Sequence, residues 1–281
     1  MVISGDGRWL VTTEDRYQVV RRELPSGRKV WTHRQGSKAF CLAISGDGRT
    51  VASAGLDREV HLLDAATGRQ RRKVRNKGAA SGVALGPAGR WIALADQEQS
   101  GLLLMPLPSG KGRRLKAAGA AMAVAFSRGG HLAVGDEAGV VRLIAPSLRS
   151  VTATHRGFKP YITVVGFSPD GKQLAGAGIK GEIRVWKTSS GRLLRSVSLP
   201  APWSVSFSHD GKLLASGGVQ GLRIWELATG RVLFERKGGD YLLAAFSPKG
   251  RQLIVIGSRN QYSPRMRRTG RTRCQLAIWS Y

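Results

Sequence analysis

The sequence predicts an all-β fold, a seven-bladed β-propeller built from four-stranded antiparallel blades. Seven glycines recur along the 281 residues at intervals of 39 to 41 residues, and each closes a similar turn phrase between two apolar segments. A complete repeat contains four short apolar segments, and four strands in about 40 residues are typical of a propeller blade. The glycines are Gly7, Gly48, Gly89, Gly130, Gly171, Gly211 and Gly250.

The turn phrase is clearest at residues 167–172, which read Phe-Ser-Pro-Asp-Gly-Lys. Serine suits the first turn position, proline presets φ at the second, and glycine tolerates the left-handed conformation that closes the turn. The phrase therefore predicts a tight reversal that joins the first strand of each blade to the second.

The repeat around Gly171 shows the four strands in order. Apolar segments at 161–167 and 173–177 flank the turn and predict the first two strands. A third strand is predicted at 182–186, and a second glycine turn at 190–192 leads to a fourth at 193–199. The next repeat follows the same order, so the blade is the repeating unit of one domain that spans residues 1–281.

The two ends of the chain do not match. The first repeat begins in the last residues of its first strand, and the seventh stops in its third strand at Tyr281. We therefore expect an incomplete last blade. One interpretation is that residues 1–281 are the C-terminal part of a longer protein, whose upstream part supplies the outer strand. The other is a three-stranded blade with an open edge.

The third segments of three repeats end in Trp186, Trp225 and Trp279, and Leu63 occupies the matching place in the second repeat. With the turn phrases, these residues make the whole chain resemble the WD40-type β-propellers. The Trp-Asp pair of that family is replaced by Trp-Lys, Trp-Glu and Trp-Ser, and its Gly-His pair is missing, so we expect its buried His, Ser, Asp and Trp network to be absent. The resemblance implies a protein-interaction propeller that, in bacteria, often follows a kinase or another signalling domain.

The predicted inner strands offer little chemistry. They are expected to line the central channel, and they contain no Asp, Glu or His, the residues that ligate metals or act as general bases. The five histidines are scattered through different blades. We therefore predict a protein that is not an enzyme and has no cofactor, metal or small-molecule substrate. The inner strands are placed at 39–44, 80–85, 121–126, 161–167, 203–207 and 241–246.

The cysteines predict a reducing compartment, and the apolar stretches are too short to predict a membrane span. Cys41 and Cys274 fall in blades that are not neighbours, so a disulfide is not expected and a reducing cytoplasmic compartment is predicted. The longest apolar stretch, 117–126, is far shorter than the ~20 residues of a membrane span.

The formal net charge of +27 favours an acidic protein, a nucleic acid or another anionic partner. Basic residues follow most turn glycines and predict a positive ring on one face, although a solvated surface is the stronger interpretation of that ring. On the opposite face, the loops between second and third strands carry nine of the eighteen acids.

The last repeat has an insertion of about 15 residues within 258–275, rich in arginine and without acids. Long loops on rigid scaffolds often bind partners. The insertion could equally cover the acidic loops around it, and both interpretations stay open here. Its arginines are Arg259, Arg265, Arg267, Arg268, Arg271 and Arg273.

Aromatic residues start several inner strands on the same face as this insertion: Phe40, Tyr161, Trp203 and Tyr241. Aromatic anchors surrounded by arginine match the composition of interface hot spots. The alternative is packing between blades, which we favour for Phe40 more than for Trp203. We predict a non-catalytic scaffold or sensor propeller that binds an acidic protein or peptide. The alternatives are a nucleic-acid-binding propeller that uses the basic face and a regulatory domain of an upstream signalling enzyme.

Overall fold

The computed structural model describes residues 1–14, 17–96, 101–107, 111–116, 119–238, 243–248, 252–258 and 274–280, with only the main chain at 88, 116, 256–258 and 274–280. Across these residues the strands form six four-stranded antiparallel sheets and one three-stranded sheet. Each sheet uses consecutive strands, so each repeat is one blade. This confirms the predicted propeller with an incomplete last blade.

The first four blades contain strands β1 to β16. Blade one has β1 (Val2–Ile3), β2 (Trp9–Glu14), β3 (Gln18–Glu23) and β4 (Lys29–Arg34). Blade two has β5 (Ala39–Ile44), β6 (Thr50–Gly55), β7 (Glu59–Asp64) and β8 (Gln70–Arg75). Blade three has β9 (Ala80–Leu85), a 3-10 helix (Pro87–Gly89), β10 (Trp91–Asp96), β11 (Gly101–Pro106) and β12 (Arg113–Lys116). Blade four has β13 (Ala121–Phe126), β14 (Leu132–Asp136), β15 (Val141–Ile144) and β16 (Val151–His155).

The last three blades contain β17 to β27. Blade five has β17 (Ile162–Phe167), β18 (Gln173–Gly178), β19 (Glu182–Lys187) and β20 (Leu193–Ser198). Blade six has β21 (Ser206–Phe207), β22 (Leu213–Gly218), β23 (Gly221–Glu226) and β24 (Val232–Lys237). Blade seven has β25 (Leu243–Phe246), β26 (Gln252–Ser258) and β27 (Cys274–Ser280).

The turns between first and second strands follow the predicted chemistry. The six turn glycines that the structure describes all have φ between 64° and 87°, and Gly250 lies outside the described residues. An aspartate adds a contact that the sequence analysis did not use. Asp47 accepts hydrogen bonds from the Ser45 hydroxyl and the Arg49 backbone N–H, and the Ser45 bond is the main cause of its lowered pKa. The same geometry recurs at Asp6, Asp170 and Asp210.

The apolar core is divided among the junctions between blades. Within the described residues there are seven hydrophobic clusters, and each joins two neighbouring blades. The smallest contains Leu10 of blade one and Ile254 of blade seven, both fully buried. The last blade therefore packs against the first, and hydrophobic contacts close the ring.

The inner strands lie close to their predicted positions. β5, β9 and β13 have the predicted bounds, whereas β17 begins at Ile162 and β21 only at Ser206. The late start of β17 has a local cause, because Tyr161 has a φ of 69°, which does not continue a strand. In blade six, Pro202 and Gly218 form an isolated bridge, and the ladder starts at Ser206. β26 and β27 pair as far as Ser258 and Cys274, so residues 259–273 lie between them.

Candidate functional site

The two faces of the propeller carry different connections. The turn face holds the glycine turns from first to second strands, together with the turns from third to fourth strands. The loop face, on the opposite side, holds the loops from second to third strands and the connections between blades. The aromatic residues predicted to form a site start the inner strands, so they lie on the loop face at the mouth of the channel.

A β-bulge stands at the start of the inner strand in five consecutive blades. In blade two, Ala39 pairs with Gly55 and Cys41 with Ala54, so Phe40 is the extra residue. In blade six, the backbone N–H groups of Trp203 and Ser204 both donate to the Gly217 carbonyl. Bulges redirect a side chain out of the regular ladder. The bulge residues are Phe40, Ser81, Met122, Thr163 and Trp203.

Two of the bulge residues link neighbouring blades. The Ser81 hydroxyl donates to the Ala121 carbonyl at 2.9 Å, and the Thr163 hydroxyl donates to the Pro202 carbonyl at 2.7 Å. In both cases the acceptor lies at the start of the next blade. Phe40 and Trp203 occupy the same position with aromatic rings, and these side chains are 52% and 45% exposed. The same backbone feature therefore joins blades at some positions and presents aromatic rings to solvent at others.

Tyr161 lies two residues before the bulge residue Thr163 and is 49% exposed. Its φ of 69° is unusual for a bulky residue other than glycine, and costs of order 1–3 kcal/mol are typical of such conformations. Its backbone is bonded on both sides, since its N–H donates to Glu137 and its carbonyl accepts from Ile179. The surrounding loops thus hold an exposed aromatic side chain in a strained conformation.

Two aliphatic residues extend this apolar surface. Leu56 and Val219 occupy equivalent positions in the loops of blades two and six, and they are 54% and 43% exposed. The Leu56 N–H donates to the Lys38 carbonyl, and the Val219 N–H donates to the Ala201 carbonyl, so both lie next to the aromatic positions. We call Phe40, Leu56, Tyr161, Trp203 and Val219 the channel-mouth patch. The sequence analysis missed its aliphatic members, because turn composition does not report exposure.

The structure corrects one interpretation. Packing between blades was favoured for Phe40 over Trp203, but Phe40 is the more exposed of the two. Phe40 is the extra residue of a bulge, and the Lys38 ammonium lies 5.5 Å from the centre of its ring. Tyr161 and Trp203 belong to adjacent blades, and Phe40 lies on the far side of the channel. Tyr241 and the six arginines of residues 259–273 lie outside the described residues.

The acids of the loop face are mostly paired within their own blades. Asp96 and Asp136 are fully buried and lie 2.9 Å from Arg114 and 2.5 Å from Arg142. Glu14 lies 2.9 Å from Arg22. Buried carboxylates require such partners. The third and fourth strands thus supply the cations that neutralise the loop acids, and the expected acidic surface is strongly reduced.

Two of the histidines described as scattered lie together at the junction of blades one and two. The Nε2 atom of His33 lies 3.4 Å from Nδ1 of His61, and the rings meet edge to face. Asp57 and Glu59 surround the other nitrogen of His61.

Burial raises the pKa of the Cys41 thiol to about 12, so this inner-strand cysteine is a protonated thiol at neutral pH.

The repeats, the sheet order and the closed ring define the chain as a β-propeller protein. The family model for the WD domain, G-beta repeat, matches residues 27–64, 149–187 and 194–226, so three segments of the chain are similar to WD40 repeats. Each match ends at the last residue of a third strand, in agreement with the blade boundaries. WD40 propellers are typically protein-interaction scaffolds and generally lack catalytic activity.

Among solved structures, the chain is similar to the β-propeller domain of Cps50 (Swd1) from Myceliophteria thermophila. The TM-score is 0.83 at 20% sequence identity, and the alignment covers 100% of this chain and 96% of that one. Similarity at this identity shows a shared fold. Among curated proteins, no sequence matches the chain significantly. In the part of the chain that the structure describes, no helix is long and apolar enough to cross a membrane.

Proposed function

We propose that this propeller is a non-catalytic interaction module that binds an acidic protein segment across the channel-mouth patch. The observation that carries the proposal is the exposure of aromatic rings on a rigid backbone. Half-exposed Phe, Tyr and Trp side chains bury large apolar areas on binding. Because the bulges and loops already hold them in place, binding orders little additional structure.

The charge around the patch supports an acidic partner. The Lys38 ammonium lies 5.5 Å from the centre of the Phe40 ring, and Lys159 and Lys180 are exposed beside Tyr161. Three acids of this face, Glu14, Asp96 and Asp136, are paired with arginine, which weakens their repulsion of an anionic partner.

We extend the proposal to Tyr241 and to the arginines of the insertion. The pairing of Glu14, Asp96 and Asp136 with arginines of their own blades weakens the alternative in which the insertion neutralises the loop acids. A binding arm of six arginines would add long-range attraction and hydrogen bonds to carboxylates. We place the interaction in the cytoplasm, because the free Cys41 thiol suits a reducing compartment. If the propeller is the regulatory domain of an upstream signalling enzyme, it would also use the channel-mouth patch in that role.

The test is quantitative pull-down from lysate with Trp203→Ala and Phe40→Ala, each compared with the parent protein. We expect each variant to lose the same set of acidic partners while its thermal unfolding is nearly unchanged. The matched control is Leu193→Ala, because Leu193 is 50% exposed on the outer strand of blade five, away from the patch. Partner recovery that is unchanged in both patch variants would refute the proposal.

A nucleic-acid-binding propeller is the second candidate, and one observation on the turn face favours it. A groove of about 510 Å³ between blades five and six is lined by Lys172, Lys187 and Lys212, with Glu226 also in its lining. Such a row of cations suits phosphate groups. Excess unrelated DNA should abolish this interaction and spare binding at the channel-mouth patch, so competition separates the two candidates.

A further inference from the structure

We propose that blade two carries a binding site for a divalent transition metal ion of the Zn²⁺ class, formed by Asp57, Glu59 and His61. One donor atom from each residue lies within 4.8 Å of the other two. Imidazole and carboxylate are ligands that Zn²⁺ accepts, and three protein ligands with an open fourth position are a common arrangement.

Two of the three donor distances are close to those around a tetrahedral ion. Bonds of about 2.0–2.2 Å at tetrahedral angles place neighbouring donor atoms roughly 3.4 Å apart. The Nε2 atom of His61 lies 3.1 Å from Oδ2 of Asp57 and 3.7 Å from Oε2 of Glu59. Small side-chain shifts would bring both distances to the expected value.

The local sequence explains why the three groups converge. Asp57 lies in the loop between β6 and β7, and Glu59 and His61 are alternate residues of β7. Alternate residues of a strand project to the same side. His61 is 2% exposed, whereas Glu59 is 22% exposed, so the site has a buried ligand and an open side.

A neighbouring residue orients the histidine. The Nδ1 atom of His61 lies 2.8 Å from Oε1 of Gln70 on β8. If Nδ1–H donates to this amide oxygen, the lone pair of Nε2 is directed at Asp57 and Glu59. Histidine ligands of metals usually have such a hydrogen bond on the second nitrogen, and its loss typically weakens metal binding.

The Lys73 ammonium would compete with a metal ion for Glu59, so substitution of Lys73 gives a direct test of the proposal. Its ammonium lies 2.8 Å from Oε2 of Glu59, the same oxygen that faces His61. If the cluster is only a network of ion pairs, Lys73 is its natural cation. If the cluster binds a metal ion, the ammonium repels that ion, and removing the positive charge should strengthen binding.

The experiment uses protein freed of its affinity tag and stripped with a chelator. Calorimetric titration with Zn²⁺ measures affinity and stoichiometry, and Co²⁺ absorption in the visible range reports the coordination geometry. We expect one ion per chain in the parent protein. His61→Ala and Asp57→Asn should abolish this binding, and Gln70→Ala should weaken it about tenfold or more. Lys73→Met should bind several-fold more tightly than the parent.

The matched control is Glu235→Gln, which removes the carboxylate of an ion pair with Arg223 in blade six and should leave Zn²⁺ affinity unchanged. Thermal unfolding shows whether each variant folds. Glu59 and Lys73 are partly exposed, so their substitution disturbs the fold less. If His61→Ala does not fold, the Zn²⁺ affinities of Glu59→Gln and Lys73→Met still test the proposal. Failure of both the parent and Lys73→Met to bind Zn²⁺ would overturn the proposal. Unchanged Zn²⁺ binding in both Asp57→Asn and Glu59→Gln would also overturn the proposal.

Discussion

Asp64 organises the turn between the third and fourth strands of blade two. It accepts hydrogen bonds from the backbone N–H groups of Ala66 and Thr67 and from the Thr67 hydroxyl, and Arg71 pairs with its second oxygen. The bond from the Thr67 N–H is the main cause that lowers the pKa of Asp64 from 3.8 to about 2. Because Asp64 follows Leu63, it stands where the aspartate of a Trp-Asp pair would stand. The Asp64 carboxylate thus stabilises the turn between β7 and β8.

The first prediction concerns Asp64→Asn. The folded-state pKa is depressed, so the extra stability is fully present above pH 3.8 and is lost as the pH falls through about 2. The variant should be less stable than the parent by about 1 kcal/mol at pH 7, allowing for partial exposure of the site. Urea unfolding at several pH values measures this difference, which should be mostly lost near pH 2. A difference that persists unchanged at pH 2 would show that charge is not the cause.

The bulges at the starts of the inner strands are the elements that connect fold and function. Where the bulge residue is Ser81 or Thr163, its hydroxyl joins one blade to the next. The Thr163 bond ends on Pro202, directly before Trp203. The link between blades five and six therefore positions an aromatic member of the channel-mouth patch.

We predict that Thr163→Val lowers the free energy of unfolding by about 1 kcal/mol, because the Pro202 carbonyl loses its partner. The same variant should weaken partner binding without altering Trp203 itself. Chemical denaturation and the pull-down measure the two effects. The control is Thr154→Val on the exposed outer strand of blade four, which should change neither. Equal effects of the two substitutions would contradict the assigned role of the bulge hydroxyl.

Closure of the ring is a property of the whole molecule and depends on the junction of blades seven and one. Ile254 is fully buried there with Leu10. In blades two to six the equivalent position of the second strand holds alanine, at residues 52, 93, 133, 175 and 215. At this junction the larger Ile254 side chain packs with Leu10, and Met1, Ile3 and Leu24 lie against them.

We therefore predict that Ile254→Ala, although it restores the residue of the other blades, destabilises the protein by about 3 kcal/mol. Thermal and urea unfolding measure the loss. The reciprocal substitution Ala215→Ile should also destabilise blade six, by about 1–3 kcal/mol, since that junction has no space for it. A neutral Ile254→Ala would show that the ring does not depend on this contact.

Much of the fold could be predicted from local chemistry. Left-handed glycines and serine-led turns recur at one spacing, and they placed β5, β9 and β13 at their observed bounds. The site could be predicted less well. Phe40, Tyr161 and Trp203 were predicted as partner-binding aromatics from their positions, and all three are exposed. The packing alternative was favoured more for Phe40 than for Trp203, because the bulge at Phe40 depends on strand register, which the sequence does not show. The insertion at 259–273 lies outside the described residues.

The sequence by itself determined the number of blades, the order of strands and the faces on which turns and loops lie, because each depends on residues close together along the chain. Only the tertiary structure decided which charges are paired and which side chains meet. Asp96 forms an ion pair with Arg114, which lies two strands away in the same blade, and His33 contacts His61 across a blade junction. These contacts join residues 18 and 28 positions apart. Their geometry follows from strand register within a blade and from packing between blades, which the spacing of residues along the chain does not give.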